Sequence, residues 1–163
     1  MNKFAHRFSL TAAVLAALLP LSALAAPNAE DTAKAAVATQ LDRYQLALNA
    51  SDLDSVMALY ADDAVFMPQG QSPAAGRDAV RATYRRIFDA IKLDVRFSVD
   101  EIRLLSKDWA FARTRSNGSV RAVGGTAPAH AEANQELFLL RRGPDGQWRF
   151  ARYIFSTTAS QQP

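Results

Sequence analysis

The sequence contains no cysteine and only two histidines, His6 and His130. Without cysteine the chain has no disulfide, no thiol nucleophile and no residue to carry a lipid anchor at its N-terminus. Zinc sites generally need several His or Cys ligands, and a Ser-His triad needs a positioned imidazole. Because His130 lies alone in a Gly/Ala/Pro-rich loop, we expect no metal site, no such triad and no cofactor.

Long apolar runs are scarce, and the one at the N-terminus is typical of a secretory signal peptide. Lys3 and Arg7 form a basic start, Leu10–Leu19 is apolar, and Ala23–Ala25 provides a small-residue cleavage site. The alternative, a membrane anchor, is disfavoured because the run is shorter than the ~20 residues that span a bilayer. The sequence therefore predicts a signal peptide over residues 1–25, a periplasmic or secreted mature protein, and no membrane attachment after cleavage.

Excess charge of one sign is also lacking. The chain has 19 basic and 16 acidic residues, and removal of Lys3 and Arg7 with the signal peptide leaves 17 against 16, a net charge of +1. No basic stripe interleaved with aromatic residues is present, so we expect no nucleic-acid partner.

Helical periodicity dominates the first half of the mature chain. Three stretches carry apolar residues three and four positions apart, which predicts amphipathic helices over 32–49, 53–60 and 77–91. Ser51 and Asp54 have the spacing of a capping box at the start of the second helix. Asp62 and Asp63 are interpreted as a turn, followed by a short strand, Ala64–Met67.

From Ile91 onward the apolar period changes to two, which predicts long strands over 93–104, 109–123, 131–142 and 147–157. The apolar parity changes near Asp100–Glu101, where we expect a β-bulge. Gly143–Gly146 is a hairpin turn. The order predicts one α+β domain over residues 26–163, with an ordered core of about 32–157 and three helices packed on one face of a curved antiparallel sheet.

The last two strands are apolar on both faces. The alternation places Trp148, Phe150 and Ile154 on one face, and Tyr153 and Phe155 on the other. An apolar sheet face without helices over it favours a partner, so the sequence predicts a homodimer through that face.

Three tyrosines, Tyr44, Tyr60 and Tyr84, lie on the apolar stripes of the helical segments. A buried tyrosine is usually a core residue with a satisfied hydroxyl. The alternative is that the three hydroxyls converge in a pocket, and the sequence alone leaves both interpretations open.

Glu136 shares a strand face with Asn134 and Phe138. A carboxylate that points into an apolar pocket has a raised pKa and can act as an acid or a base. The alternative is an interface glutamate paired with Arg113 or Arg115.

The run RYQLALNASDLDSVMALYADDAVF is similar to the corresponding run of the ketosteroid isomerases, and the tail QELFLLRRGPDGQWRFARYIFSTT resembles that of SgcJ/EcaC-type (DUF4440) proteins. The mature chain as a whole resembles the NTF2-like superfamily, in its ketosteroid-isomerase and SnoaL-like branch. The resemblance implies a cone-shaped α+β fold in which the three helices pack on a curved sheet.

The resemblance also implies roles for individual residues. Tyr44, Tyr60 and Tyr84 match the isomerases' hydrogen-bonded tyrosines, which come one from each helix. The isomerases' general base, an aspartate just before a proline on the first strand, is replaced here by Met67. Their second oxyanion donor corresponds to residue 135 or 136, with the register left open.

These observations predict an exported small-molecule-binding protein or enzyme with an apolar pocket for an apolar or aromatic ligand, and without standard steroid isomerase activity. If it is an enzyme, the resemblance implies isomerase- or cyclase-like acid–base chemistry on a carbonyl-bearing substrate, or the reaction behind the SgcJ/EcaC "oxidoreductase" label. Tyr44 and Glu136 are the candidate catalytic residues. The candidate ligand-binding residues are Tyr44, Tyr60, Phe66, Tyr84, Phe88, Asn134, Glu136 and Phe138. The alternative is a non-catalytic dimerisation or protein-interaction module with a vestigial pocket.

Overall fold

The computed structural model describes residues 28–158, so the predicted signal peptide lies outside the described residues. The helices are α1 (Ala29–Ala50), α2 (Leu53–Ala58) and α3 (Arg77–Ala90). The strands are β1 (Tyr60–Met67), β2 (Ala74–Ala75), β3 (Ile91–Leu104), β4 (Trp109–Ala122), β5 (His130–Arg142) and β6 (Trp148–Thr157). No helix in this part of the chain is long and apolar enough to cross a membrane.

The six strands form one curved sheet in the order β2-β1-β6-β5-β4-β3. The β1 and β6 strands run parallel, and the other neighbours pair antiparallel. The helices pack on the inner face of the sheet, with α1 against β3 and α3 against β1. The α+β architecture that the sequence predicts is confirmed.

Helix α1 also covers the sheet edge at β3. The Asn49 side chain donates to the carbonyl of Val95 at 2.8 Å and accepts from its N–H at 2.9 Å, as a neighbouring strand would. The Gln45 side chain accepts from the N–H of Phe97 at 2.7 Å. These contacts satisfy backbone groups that an edge strand otherwise leaves open to pairing with another chain.

The corner between α1 and α2 differs from the predicted capping box. Ser51 adopts the left-handed conformation (φ 53°), and its N–H bonds to Ala47 and Leu48 at the end of α1. The N-cap of α2 is therefore Asp52, whose carboxylate accepts from the N–H of Ser55 at 3.0 Å.

The first strand begins earlier than the sequence predicts. Tyr60 is its first residue, not part of the second helix, and the prediction that Asp62 and Asp63 form a turn is wrong. Both aspartates are exposed strand residues, with Asp62 3.6 Å from Arg77 and Asp63 2.7 Å from Arg141. Asp62 and Asp63 are both exposed although they are adjacent in the strand, so this part of β1 does not show the alternation of apolar and polar residues that predicts a strand.

Register shifts interrupt three strand pairs of the described sheet: β3–β4, β5–β6 and, between Tyr60 and Val65, β1–β6. The bulge expected near Asp100–Glu101 is confirmed, because the β3–β4 register shifts between Val99 and Glu101. A second shift leaves Ala151 as an extra residue in β6 opposite β5. The sequence analysis missed this second bulge.

The Ala151 bulge corrects the predicted faces of β6. Trp148, Phe150, Tyr153 and Phe155 all contact the core on the helix side, whereas Ile154 points outward and is 45% exposed. The outer face of β6 therefore carries Ile154 beside the polar Arg152, and the aromatic rings lie on the inner face.

Candidate functional site: a cavity between the helices and the sheet

A cavity of about 210 Å³ lies between α1, α3 and the inner face of the sheet. Among the predicted ligand-binding residues, the structure places Tyr44, Phe66, Tyr84 and Asn134 in its wall. The other four, Tyr60, Phe88, Glu136 and Phe138, are buried without lining it. The remaining wall residues are Leu48, Pro68, Gln71, Ile87, Ile91, Leu93, Val95, Phe97, Ser116, Glu132, Tyr153 and Phe155.

The three predicted tyrosines form a connected hydroxyl cluster. The hydroxyl of Tyr84 is 2.5 Å from that of Tyr44 and 2.7 Å from that of Tyr60, so Tyr84 is its centre. The hydroxyls come from α1, from α3 and from the first residue of β1, and not one from each helix. Burial raises the pKa of all three tyrosines above its ordinary value of 10.0. The hydroxyls therefore remain protonated and can act as hydrogen-bond donors.

Stacked aromatic rings connect this cluster to the sheet. Phe66 stacks on Tyr84, with ring centroids 5.0 Å apart, and on Tyr153 at 5.1 Å. Tyr153 stacks in turn on Phe138 at 4.2 Å. Such a column is rigid and apolar, and it gives one side of the cavity a flat aromatic wall.

Tyr153 is a wall residue that was not among the predicted ligand-binding residues. Its ring lies 5.7 Å from that of Tyr44, and burial raises the pKa of its hydroxyl well above the ordinary value. The Ala151 bulge turns Tyr153 inward, and no signal in the sequence indicates that bulge.

Of the two β5 residues left open, Glu136 points inward and Gln135 points outward, where it bonds to Ser156. Glu136 is 4% exposed, and its carboxylate accepts from Thr114 Oγ1 at 2.5 Å and from Ser116 Oγ. Burial raises the pKa of this carboxyl, although the two hydroxyls act in the opposite direction. Only Ser116 of these three lines the cavity, so Glu136 reaches it through that hydroxyl.

The alternative interpretation of Glu136, pairing with Arg113 or Arg115, is not observed. Both arginines lie on the outer face and bind Asp100, at 2.9 Å and 2.8 Å. Asp100 occupies the β3 bulge, which places its carboxylate between the two guanidinium groups.

The polar part of the cavity wall includes Gln71 and, on the β4–β5 side, a group formed by Ser116, Asn134 and Glu132. Asn134 Nδ2 donates to Glu132 Oε1 at 2.9 Å and approaches Ser116 Oγ at 3.4 Å. Its carbonyl oxygen, Oδ1, is buried and has no hydrogen-bond partner. The sequence analysis selected Asn134 but missed Glu132, the one charged side chain among the wall residues.

On β1, Phe66 and the adjoining Pro68 line the cavity and Met67 does not, so this strand supplies no carboxylate to the wall. Within residues 28–158 no group of three or more His, Asp or Glu side chains could hold a metal ion. The wall can therefore offer hydroxyl donors, the side-chain amides of Gln71 and Asn134, and one carboxylate on an otherwise apolar surface.

Comparison with known structures gives the same architecture. A ketosteroid isomerase-like protein from Erwinia carotovora atroseptica is 33% identical, with a TM-score of 0.73, covering 77% of this chain and 96% of that chain. A conserved protein from Planctomyces limnophilus is 22% identical (TM-score 0.69; 78% and 98% covered). An NTF-2 like protein from Shewanella oneidensis is 19% identical (TM-score 0.58; 75% and 97% covered). The family model of the SnoaL-like domain matches residues 41–157, and the chain belongs to this family, with the NTF2-like fold.

Proposed function

We propose that the protein binds a small apolar molecule with one or two rings in the cavity between the helices and the sheet. The observation that carries the proposal is a wall of aromatic and aliphatic side chains interrupted by a few convergent polar groups, which is typical of ligand sites. The 33% identical relative is described as ketosteroid isomerase-like, which supports a ligand-binding role for the same fold.

The volume sets the ligand size. An engineered apolar cavity of about 150 Å³ holds benzene, whereas sites for drug-sized molecules occupy about 300–1,000 Å³. The present cavity, about 210 Å³, lies between these values. A bicyclic compound is therefore a better match than a four-ring steroid, which agrees with the expectation that standard steroid isomerisation is not the activity.

A matched pair of variants tests this proposal. Val95 lines the cavity and is 6% exposed, whereas Val99 on the same strand is 44% exposed and does not line it. Bicyclic fragments should raise the thermal midpoint of the parent and of Val99→Phe, and should not raise that of Val95→Phe, because the added ring fills the cavity. The proposal is contradicted if the fragments stabilise both variants equally. It is also contradicted if they stabilise neither the parent nor either variant.

Acid–base catalysis is a further step that we propose on the same site. The protonated Tyr44 hydroxyl is a donor for a developing oxyanion, and Glu136 would act through Ser116, not by direct contact. Tyr44→Phe and Glu136→Gln should then lower turnover of a carbonyl-bearing substrate by about 10²-fold or more while they retain binding. Variants that bind and turn over substrate like the parent indicate a binding protein only.

A homodimer through the outer sheet face is the second candidate function. Leu137 and Ile154, neighbours across β5 and β6, are each 45% exposed on that face and favour a partner. We expect a dimer by light scattering at micromolar concentration and a monomer for Leu137→Lys. A parent protein that is monomeric excludes this assembly.

Export is proposed from the sequence of residues 1–25, which is typical of a signal peptide. Mass spectrometry of the protein recovered from the periplasm should give a mature chain that begins at Ala26. A full-length chain confined to the cytoplasm contradicts the proposal.

A further inference from the structure

The cavity wall contains a hydrogen-bond acceptor that the protein does not satisfy. Asn134 Oδ1 is buried and has no partner, and it is the one such side-chain nitrogen or oxygen atom in residues 28–158. Buried polar atoms are nearly always paired, and Asn134 lines the cavity, so a bound molecule can supply the missing donor once a neighbouring wall side chain shifts to uncover Oδ1.

The orientation of the Asn134 amide follows from its neighbours. Its Nδ2 lies 2.9 Å from the carboxylate of Glu132, so a rotated amide would place the carbonyl oxygen against a negative charge. Ser116 Oγ already donates to Glu136, which leaves this hydroxyl as an acceptor for Asn134 Nδ2. The amide is therefore held with Oδ1 as its free atom.

The charges around the cavity restrict the ligand further. Glu132 is the one charged side chain among the wall residues, and no arginine or lysine is among them. The nearby Arg113 and Arg115 lie on the opposite face of the sheet, where Asp100 binds both. A carboxylate or phosphate in the cavity would lose water, meet no cation and face a like charge, which is unfavourable.

We propose that the ligand is a neutral or cationic one- or two-ring compound that donates an N–H or O–H group to Asn134 Oδ1. The proposal rests on the proposed binding function and names the chemical class of its ligand. The ring packs against the aromatic wall of Phe66, Tyr153 and Phe155, and the donor is directed toward β5.

Calorimetric titration with matched bicyclic probes tests the class. Indole and benzofuran have nearly the same shape, but only indole carries an N–H donor, so indole should bind about tenfold more tightly. Naphthol and naphthoate differ in charge, and naphthoate should bind at least tenfold more weakly. Equal affinities for indole and benzofuran, or tighter binding of naphthoate, overturn the proposal.

Two variants test whether Asn134 and Glu132 cause these differences in affinity. Asn134→Leu removes the acceptor at similar volume and should make the affinities for indole and benzofuran equal. Glu132→Gln keeps the fold because the Glu132 side chain is partly exposed. This variant should reduce the difference in affinity between naphthol and naphthoate. An indole preference that persists in Asn134→Leu, with its fold verified by circular dichroism, refutes the assignment of the donor contact. Failure of all four probes to bind the parent instead refutes the binding function itself, so the two failures are distinguishable.

Discussion

Replacement of Tyr84 by phenylalanine should destabilise the fold more than the same change at Tyr60. The Tyr84 hydroxyl is the centre of the cluster, 2.5 Å from the hydroxyl of Tyr44 and 2.7 Å from that of Tyr60. The ring itself is almost completely buried and stacks on Phe66, so Tyr84→Phe keeps the packing and removes one oxygen atom.

The magnitude follows from the hydrogen bonds that are lost. Tyr84→Phe breaks two of them, each with a net value of about 1 kcal/mol, and leaves two hydroxyls partly unsatisfied at about 1–3 kcal/mol for a buried polar group. We expect the free energy of unfolding to fall by about 2–4 kcal/mol. Tyr60→Phe removes a terminal member and leaves the bond between Tyr84 and Tyr44 intact, so about 1 kcal/mol is expected.

Urea unfolding followed by circular dichroism measures both values, and equal slopes for parent and variants show that the same surface is exposed on unfolding. The double variant Tyr60→Phe/Tyr84→Phe should cost less than the sum of the single changes, because both remove the same 2.7 Å hydrogen bond. The reasoning is refuted if Tyr84→Phe costs no more than Tyr60→Phe, or if the two changes are additive.

Three further predictions concern the buried carboxyl and the sheet. Burial raises the pKa of Glu136 above 4.5, so the folded state holds this proton more tightly than the unfolded state. The stabilisation that Glu136 contributes is therefore fully present below pH 4.5 and is lost as the pH rises through the raised pKa. Thermal unfolding across this range should therefore show Glu136→Gln gaining stability relative to the parent as the pH rises, and parallel curves contradict the raised pKa. Gly118→Ala would place a Cβ 2.0 Å from the carbonyl oxygen of Asp94, so β3 and β4 must separate, and the loss should exceed about 1 kcal/mol by chemical denaturation. Asn49→Ala removes both hydrogen bonds to Val95 and should lower the free energy of unfolding by about 1–3 kcal/mol. Hydrogen exchange at the Val95 amide should also become faster, and unchanged exchange counts against the role of α1 in covering the sheet edge.

The long strands could be predicted from the sequence because alternation over more than ten residues leaves little freedom of register. The first bulge was visible for the same reason. Val99 and Ile102 are both apolar, so the change of parity between them can be read directly from the sequence. The boundary between α2 and β1 at Tyr60 was harder to predict, because an aromatic residue after a short helix fits either the end of a helical stripe or the start of a strand.

The site was only partly predictable. The helical stripes alone favoured core roles for Tyr44 and Tyr84, and the resemblance to the isomerases made them site candidates, whereas Glu136 was selected from its shared face with Phe138 and from the same resemblance. Glu132 was not selected, although the alternation of β5 places it on the same face as Asn134 and Glu136. Its position in the wall depends on how far β4 and β5 extend beyond the helices, which is a tertiary property.

The second bulge shows why the rest could not be read from the sequence. Trp148, Phe150 and Ile154 continue an unbroken period of two through Arg152, whose long apolar stem tolerates either face. The extra residue is Ala151, which is small enough to be buried on either side. Only packing distinguishes the two registers, because the inward position for residue 153 faces Phe66 and Phe138, where a tyrosine ring stacks on both. Without the bulge Tyr153 would point outward, and the stack of Phe66, Tyr153 and Phe138 would lose its central ring. Ile154 would then occupy the inward position. The bulge thus exchanges an exposed aromatic pair for an exposed isoleucine, and this exchange places Tyr153 in the cavity wall as its third tyrosine, beside Tyr44 and Tyr84.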